Sequence, residues 1–322
     1  MFGRILLSPQ QVCSGSSLLQ VLRSYHDAGQ YALVKVCRTD EQISFLVANG
    51  DLWPTCIVSG ASCTVGATAQ ILHSDWTGTT LTHGPLSVFA LRAAKICFST
   101  SPPPEVKRLS AGDFYDLKNR YQQADQPGLL WAWCADDEFF AFIPGAGKNI
   151  DQIANMAVGE LVADPILVAT VIETRCEEIQ AAYFPFFADL EAWQEYRLHR
   201  YFCEMSEAVF RRYGELTGRV MVQALARSVN LFTANYSWPV EIRMGTVIDC
   251  LALPDLKQYR QTYQYILSHM LRQAAASVGN KLVGFMLADY VNSTQEKCRA
   301  EIVNFLPESY AFLAPVGEST HA

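Results

Sequence analysis

The chain has 322 residues, of which 50% are apolar and 18% charged, with 14 Tyr, 17 Phe and 6 Trp. That composition excludes a disordered chain, and a length about twice that of an ordinary domain predicts two or three packed units. Lys and Arg total 25 against 32 Asp and Glu, a net charge of −7, so no overall basic field draws in a phosphate backbone, and nucleic acid is not an expected partner.

The N-terminal "MFGRILLSPQQ" has too short an apolar run for a signal peptide, and no stretch approaches the length that spans a bilayer. The 10 cysteines include no C-x-x-C pair and no clustered His partners. Several, such as Cys37 and Cys97, lie in apolar runs where a free thiol packs as a small hydrophobe. The pattern predicts a soluble protein of a reducing, cytoplasmic compartment, with no metal site.

In chain order, Leu18, Leu22 and Tyr25 give a helix from Ser16 or Ser17 to Gly29. "QYALVKVCR" and "QISFLVAN" read as strands, and the turn at Asn49-Gly50 leads into a third. "VGATAQILHSDW" reads as a second helix and "GTTLTHG" as a closing strand. Three consecutive prolines, Pro102 to Pro104, predict an extended linker over 101–112. Beyond it, a gapless shift of 96 positions lays Tyr25 on Tyr121, Ala28 on Ala124, Gln30 on Gln126, Leu33 on Leu129 and Asp40 on Asp136. This predicts a second copy of the unit over 113–187, with "DPILVATVIETRCEEIQAAYF" as its second helix, Ala163 to Tyr183.

From residue 188 the pattern is helical. Leu198, Phe202, Met205, Val209, Tyr213 and Leu216 form one stripe, broken at Thr217-Gly218. A helix through Met221, Leu225, Ser228 and Phe232 follows, then a strand pair in "WPVEIRMGTVIDCLAL", then a long helix capped by Asp255 and stopped by Gly279. The expected fold class is α+β: a small α/β meander unit at 1–100, duplicated, and a mainly helical module at 188–322. The two long apolar stripes, Leu198 to Leu216 and Tyr259 to Val278, lead to the expectation of a homodimer held by that module.

Four stretches invite a chemical reading. His73, Asp75 and His83 crowd one corner, but without a nucleophile on a strained elbow they form no hydrolytic triad, and the two histidines lack helical i, i+4 spacing for a metal. There Trp76 is expected to plug the core and Gly78 to permit the bend, structural roles that Gly50 shares at its own turn. "PGAGKN", Pro144 to Asn149, lacks the spacing and hydroxyl of a phosphate loop and reads as a turn. The aromatic run from Ala181 to Phe202 contains Trp193 and His199, which with Cys203 are candidate contacts for an apolar or tetrapyrrole ligand, although aromatics at helical spacing are more often core. Arg197, Arg200, Arg211 and Arg212 alternate with Glu191, Glu195, Glu204 and Glu207, as on a solvated face with intrahelical pairs.

The first unit, with "VANGDLWPTC" followed by "GATAQILHSDWTGTTL", resembles the PatA N-terminal-type domain attached to bacterial response regulators. The resemblance covers Ser16 to Leu86 and rests on structural punctuation. It implies signalling company, a response regulator or kinase as partner, but no receiver domain is visible. "SHMLRQAAASV", Ser268 to Val278, resembles the phosphoacceptor segment of sensor histidine kinases around His269. Met270 stands where that family has an acid, its proline is missing, and 44 residues remain after Val278, too few for an ATP-binding domain. His269 is therefore expected to be a helix-face residue. No catalytic residue or cofactor is assigned. The expected function is a non-enzymatic regulatory adaptor acting through protein contacts; the alternative is a small-molecule sensor using the C-terminal module.

Overall fold

The structure is a computed structural model and describes residues 11–37, 41–48, 51–59, 62–66, 76–100, 104–134, 137–144, 150–155, 161–162, 165–294 and 296–306. Two compact units divide the chain, Met1–Trp193 and Gln194–Ala322. It is a mixed α+β protein whose C-terminal part is helical, and among the described residues no helix is long and apolar enough to cross a membrane.

The N-terminal unit holds two six-stranded antiparallel sheets. The first contains β1 (Gln11–Ser14), β2 (Tyr31–Cys37), β3 (Glu41–Ala48), β4 (Asp51–Ser59), β5 (Ser62–Gly66) and β6 (Thr80–Leu86), with α1 (Leu18–Asp27) between β1 and β2 and α2 (Val88–Ser99) after β6. The second contains β7 (Val106–Leu109), β8 (Gly128–Cys134), β9 (Asp137–Ile143), β10 (Asp151–Asn155), β11 (Leu161–Val162) and β12 (Ile179–Pro185), with α3 (Ala111–Gln123) between β7 and β8 and α4 (Pro165–Arg175) before β12. Their spatial orders, β1-β6-β2-β3-β4-β5 and β7-β12-β8-β9-β10-β11, are the same order shifted by six strands. Ala32 pairs with Val47 and Gly128 with Ile143, so both strands of the leading hairpin carry the 96-residue shift with register intact. The duplication read from five identities is thus a duplication of topology.

Alternation gives each sheet two buried faces. Ala32, Val34, Val36, Ile43, Phe45 and Val47 form one core with Leu18, Val21 and Tyr25 of α1, while Leu33, Lys35, Ser44 and Leu46, on the opposite face, are buried too. All seven residues of β8 and of β9 are buried, as expected of near-continuous apolar strands covered on both sides. Helix α2 is buried at eight of its twelve positions, so it behaves as an interior helix. Ser87 caps it, its hydroxyl accepting the Ala90 N–H at 3.1 Å.

Several expectations change here. The stretch 101–112 contains β7, paired to β12 from Ile179↔Leu109 to Ala182↔Val106, and the start of α3. The segment read as one helix over Ala163–Tyr183 is a helix that ends at Arg175 followed by strand β12. Cys176, just after α4, forms a disulfide with Cys134 at the end of β8, their Cα atoms 5.7 Å apart, where free thiols were expected.

The C-terminal unit is built on α5 (Glu191–Thr217, which enters from the N-terminal unit), α6 (Arg219–Asn235), the hairpin β13 (Val240–Arg243) and β14 (Thr246–Asp249), α7 (Leu256–Val278), α8 (Asn280–Ser293) and α9 (Glu296–Phe305). Met244 and Gly245 turn the hairpin, both at positive φ (53° and 91°), as a two-residue primed turn requires. Gly218 and Gly279, at φ 83° and 88°, separate α5 from α6 and α7 from α8. Asp255 caps α7, accepting the Gln258 N–H at 2.8 Å.

One core unites these helices, and it takes up both stripes on which the dimer was argued. Leu198, Phe202, Met205, Val209 and Tyr213 of α5 pack with Tyr259, Tyr263, Ile266, Leu267, Met270 and Leu271 of α7. The chain covers those faces itself, leaving Leu216 exposed at the end of α5. In this unit, exposed large apolar side chains also stand on α6, at Tyr236, on the hairpin, at Tyr265 of α7 and on α8.

Candidate functional site

The corner that begins at His73 is described only from Trp76, because His73 and Asp75, like Gly50 and Gly145 to Asn149, lie outside the described residues. Trp76 is buried edge-on against Phe45 at 6.4 Å, and its carbonyl accepts the Thr79 hydroxyl at 2.7 Å. Gly78 sits at φ 79°, a left-handed turn position that glycine enters without strain. His83 is buried on β6, its Nδ1 2.9 Å from the Tyr25 hydroxyl, and burial lowers its pKa. Tyr25 and His83 answer to Tyr121 and Tyr183 of the second copy, whose rings stack at 3.8 Å. The same place in each copy is therefore filled by a packed ring pair.

Trp193 is buried in the N-terminal unit, edge-on to Phe142 and Phe186. His269 stacks on Phe232 with centroids 4.2 Å apart, and its Nε2 lies 3.2 Å from the Ser228 hydroxyl. Burial, the main influence, lowers its pKa, and the ring is held between α6 and α7.

Of the sequence candidates, His199 and Cys203 belong to one convergent cluster. His199 and Cys203 stand one turn apart on α5 and so share a face, Sγ lying 3.7 Å from Nδ1. Asp249, the last residue of β14, brings its carboxylate to the same point: Oδ2 is 2.6 Å from His199 Nδ1. The Tyr263 hydroxyl, from α7, donates to that same oxygen, and the Leu251 N–H donates to Oδ1 at 2.8 Å. The Asp249 side chain is 0% exposed and that of His199 18%. A buried carboxylate persists when its lone pairs are filled by donors, and here three segments supply them. With Asp249 ionised, His199 carries its proton on Nδ1 and donates it. The ligand atoms of His199, Cys203 and Asp249 all lie within 4.8 Å of one another, close enough to share one metal ion.

Asp249 escaped sequence reasoning because it lies fifty positions from its partner in an unremarkable strand; the usable signal was the His-x-x-x-Cys spacing on a predicted helix. The charged residues of α5 also differ from expectation. Arg200 pairs with Glu204 along the helix at 2.6 Å and Arg212 with Glu215 at 2.8 Å, as expected, but Arg212 also reaches Asp289 of α8 at 3.1 Å, Arg197 pairs with Glu301 of α9, and Glu207 accepts the Val247 N–H of β14 at 3.1 Å. The polar face of α5 holds its neighbours in place.

A second feature of this unit is an exposed stripe on α6. Val220, Ala224, Arg227 and Leu231 recur at intervals of four, three and four, and all are exposed. Val220 is 78% exposed, Leu231 62% and, at the hairpin tip, Met244 60%. Gln223, Ala226, Arg227, Asn230, Leu231, Ile242 and Met244 line an open groove between helix and hairpin. Asn230 fixes that junction, since its side chain accepts the Ile242 N–H at 2.7 Å and donates to the Ile242 carbonyl at 3.0 Å.

Comparison with known proteins adds no identity. No family model matches the chain, and no curated protein matches it. Among solved structures, one described as a DNA polymerase III beta subunit from Eubacterium rectale aligns over 56% of this chain and 66% of its own, at 8% identity and a TM-score of 0.12. At that score the likeness carries no argument about fold or function.

Proposed function

We propose that this protein is a non-enzymatic regulatory adaptor that works through protein–protein contacts and self-associates through its C-terminal unit. The observation that carries the reading is the α6 stripe: large apolar side chains held out to solvent on a helix whose opposite face is fixed in a core. Exposed apolar surfaces rimmed by polar groups, here Gln223 and Asn230, mark protein contact sites. A second copy is the occupant we favour, because a helix beside a groove suits a two-fold contact in which each α6 enters the other's groove.

The N-terminal unit carries the same sheet topology twice. The resemblance of its first copy to the PatA N-terminal type suggests a response regulator or kinase as its company in a bacterial, two-component-type pathway. The expectation of a cytoplasmic setting belongs to the same proposal. The sensor alternative placed a tetrapyrrole against His199, Cys203 or Trp193; the first two are engaged around Asp249, and Trp193 is packed among phenylalanines of the other unit, so the adaptor reading is preferred. Amide hydrogen exchange of the full chain, compared at dilute and concentrated protein, tests it. Protection that rises with concentration in 219–235 and 240–249 supports the contact, and exchange there that is independent of concentration refutes it.

A further inference from the structure

We infer that His199, Cys203 and Asp249 form a binding site for a divalent zinc-class cation, clamping helix α5 to strand β14 and, through Tyr263, to helix α7. The inference does not depend on the adaptor reading.

The donor set is the first argument. Imidazole nitrogen, thiolate sulfur and carboxylate oxygen are the protein ligands of zinc, and together they bring two negative charges to a dication, leaving a neutral buried site. The geometry is the second. Tetrahedral zinc with bonds of ~2.0 Å to nitrogen and ~2.3 Å to sulfur places those atoms ~3.6 Å apart, and Cys203 Sγ lies 3.7 Å from His199 Nδ1. The nitrogen and carboxylate oxygen would stand ~3.3 Å apart around the metal; they are 2.6 Å apart across a shared proton. A dication takes the place of that proton with a movement of under ~1 Å. The Tyr263 hydroxyl, hydrogen-bonded to Asp249 Oδ2, is the outer partner that holds a ligating carboxylate in orientation.

The protons balance simply. With Asp249 as the carboxylate, binding moves the proton of neutral His199 from Nδ1 to Nε2 and releases the Cys203 thiol proton to solvent. Three protein ligands leave the fourth position for water. The side chains come from two segments fifty residues apart, so the bound ion fastens tertiary structure, as metals do when their ligands meet only in the folded chain.

Cobalt(II) reads the site directly, because a thiolate ligand gives a sulfur-to-cobalt charge-transfer band. The full chain, stripped with chelator and kept without reductant so that the Cys134–Cys176 disulfide stays closed, is titrated with Co2+ and then with Zn2+. One equivalent of cobalt should raise the band and zinc should abolish it. Cys203→Ser should lose the band, and Tyr263→Phe should keep it with affinity about tenfold weaker. No band in the unaltered chain, or a full band in Cys203→Ser, overturns the site. Should the serine variant fail to fold, alkylation of the unaltered chain decides: zinc must slow modification of the peptide carrying Cys203, and an unchanged rate overturns the proposal.

Discussion

Replacing Asp249 by alanine removes the acceptor on which three segments converge, and the cost can be worked from its partners. The Tyr263 hydroxyl and the Leu251 N–H both lose the carboxylate that accepts from them, at about 1–3 kcal/mol each. His199 loses its partner at lower cost, since its ring reaches solvent. The total is about 3–6 kcal/mol, a large part of the 5–15 kcal/mol that holds an ordinary domain together. Tyr263→Phe leaves the carboxylate with its other donors and should cost only about 1–2 kcal/mol. Urea unfolding of metal-free protein by far-UV circular dichroism gives both numbers, and hydrogen exchange localises the loss to residues 194–306. A cost below about 1 kcal/mol for Asp249→Ala would mean that the carboxylate is solvated and that the cluster is a surface accident.

Two further outcomes follow from the N-terminal unit. Lys35 is buried, and desolvation, partly offset by Glu138, pushes its pKa down to about 8 from 10.5. Between those values the unfolded chain binds the extra proton, so stability rises with pH across that window, by up to about 3 kcal/mol; Lys35→Met should flatten the rise, and an equal rise in the variant would show that Lys35 is not its source. Trypsin offers a second check, because Lys107 and Arg108 lie in β7 opposite Ala181 and Gln180. Cleavage there should be slow in folded protein and fast in denatured protein, whereas prompt nicking of the native chain would show that the stretch is the linker its prolines suggested.

Much of this fold is legible in the sequence where one period dominates. The α5 and α7 stripes, the Asp255 cap and the stops at Gly218 and Gly279 are local signals, and local chemistry decides them. The duplication was visible because the hairpin registers tolerate no slip: a one-residue shift would turn Val34 and Phe45 out of their core. What failed was local evidence overridden by distant partners. Strand β7 is four residues next to prolines and exists because β12 pairs with it. The break between α4 and β12 carries no Gly or Pro to announce it, only Cys176 tied to Cys134. Apolar stripes on α5 and α7 say that a partner exists without saying that it is the same chain. The site was half legible for a similar reason: His199 and Cys203 share a helix, and Asp249 joins them only through the hairpin.

The central claim is that the C-terminal unit brings two chains together through the α6 stripe, and sedimentation equilibrium of the full chain tests it most directly. The account predicts a dimer at micromolar concentration that becomes monomeric in Leu231→Glu, with the circular dichroism of the variant unchanged because that side chain is exposed. A monomer in the unaltered chain, or a dimer indifferent to Leu231→Glu and Val220→Glu together, would contradict it.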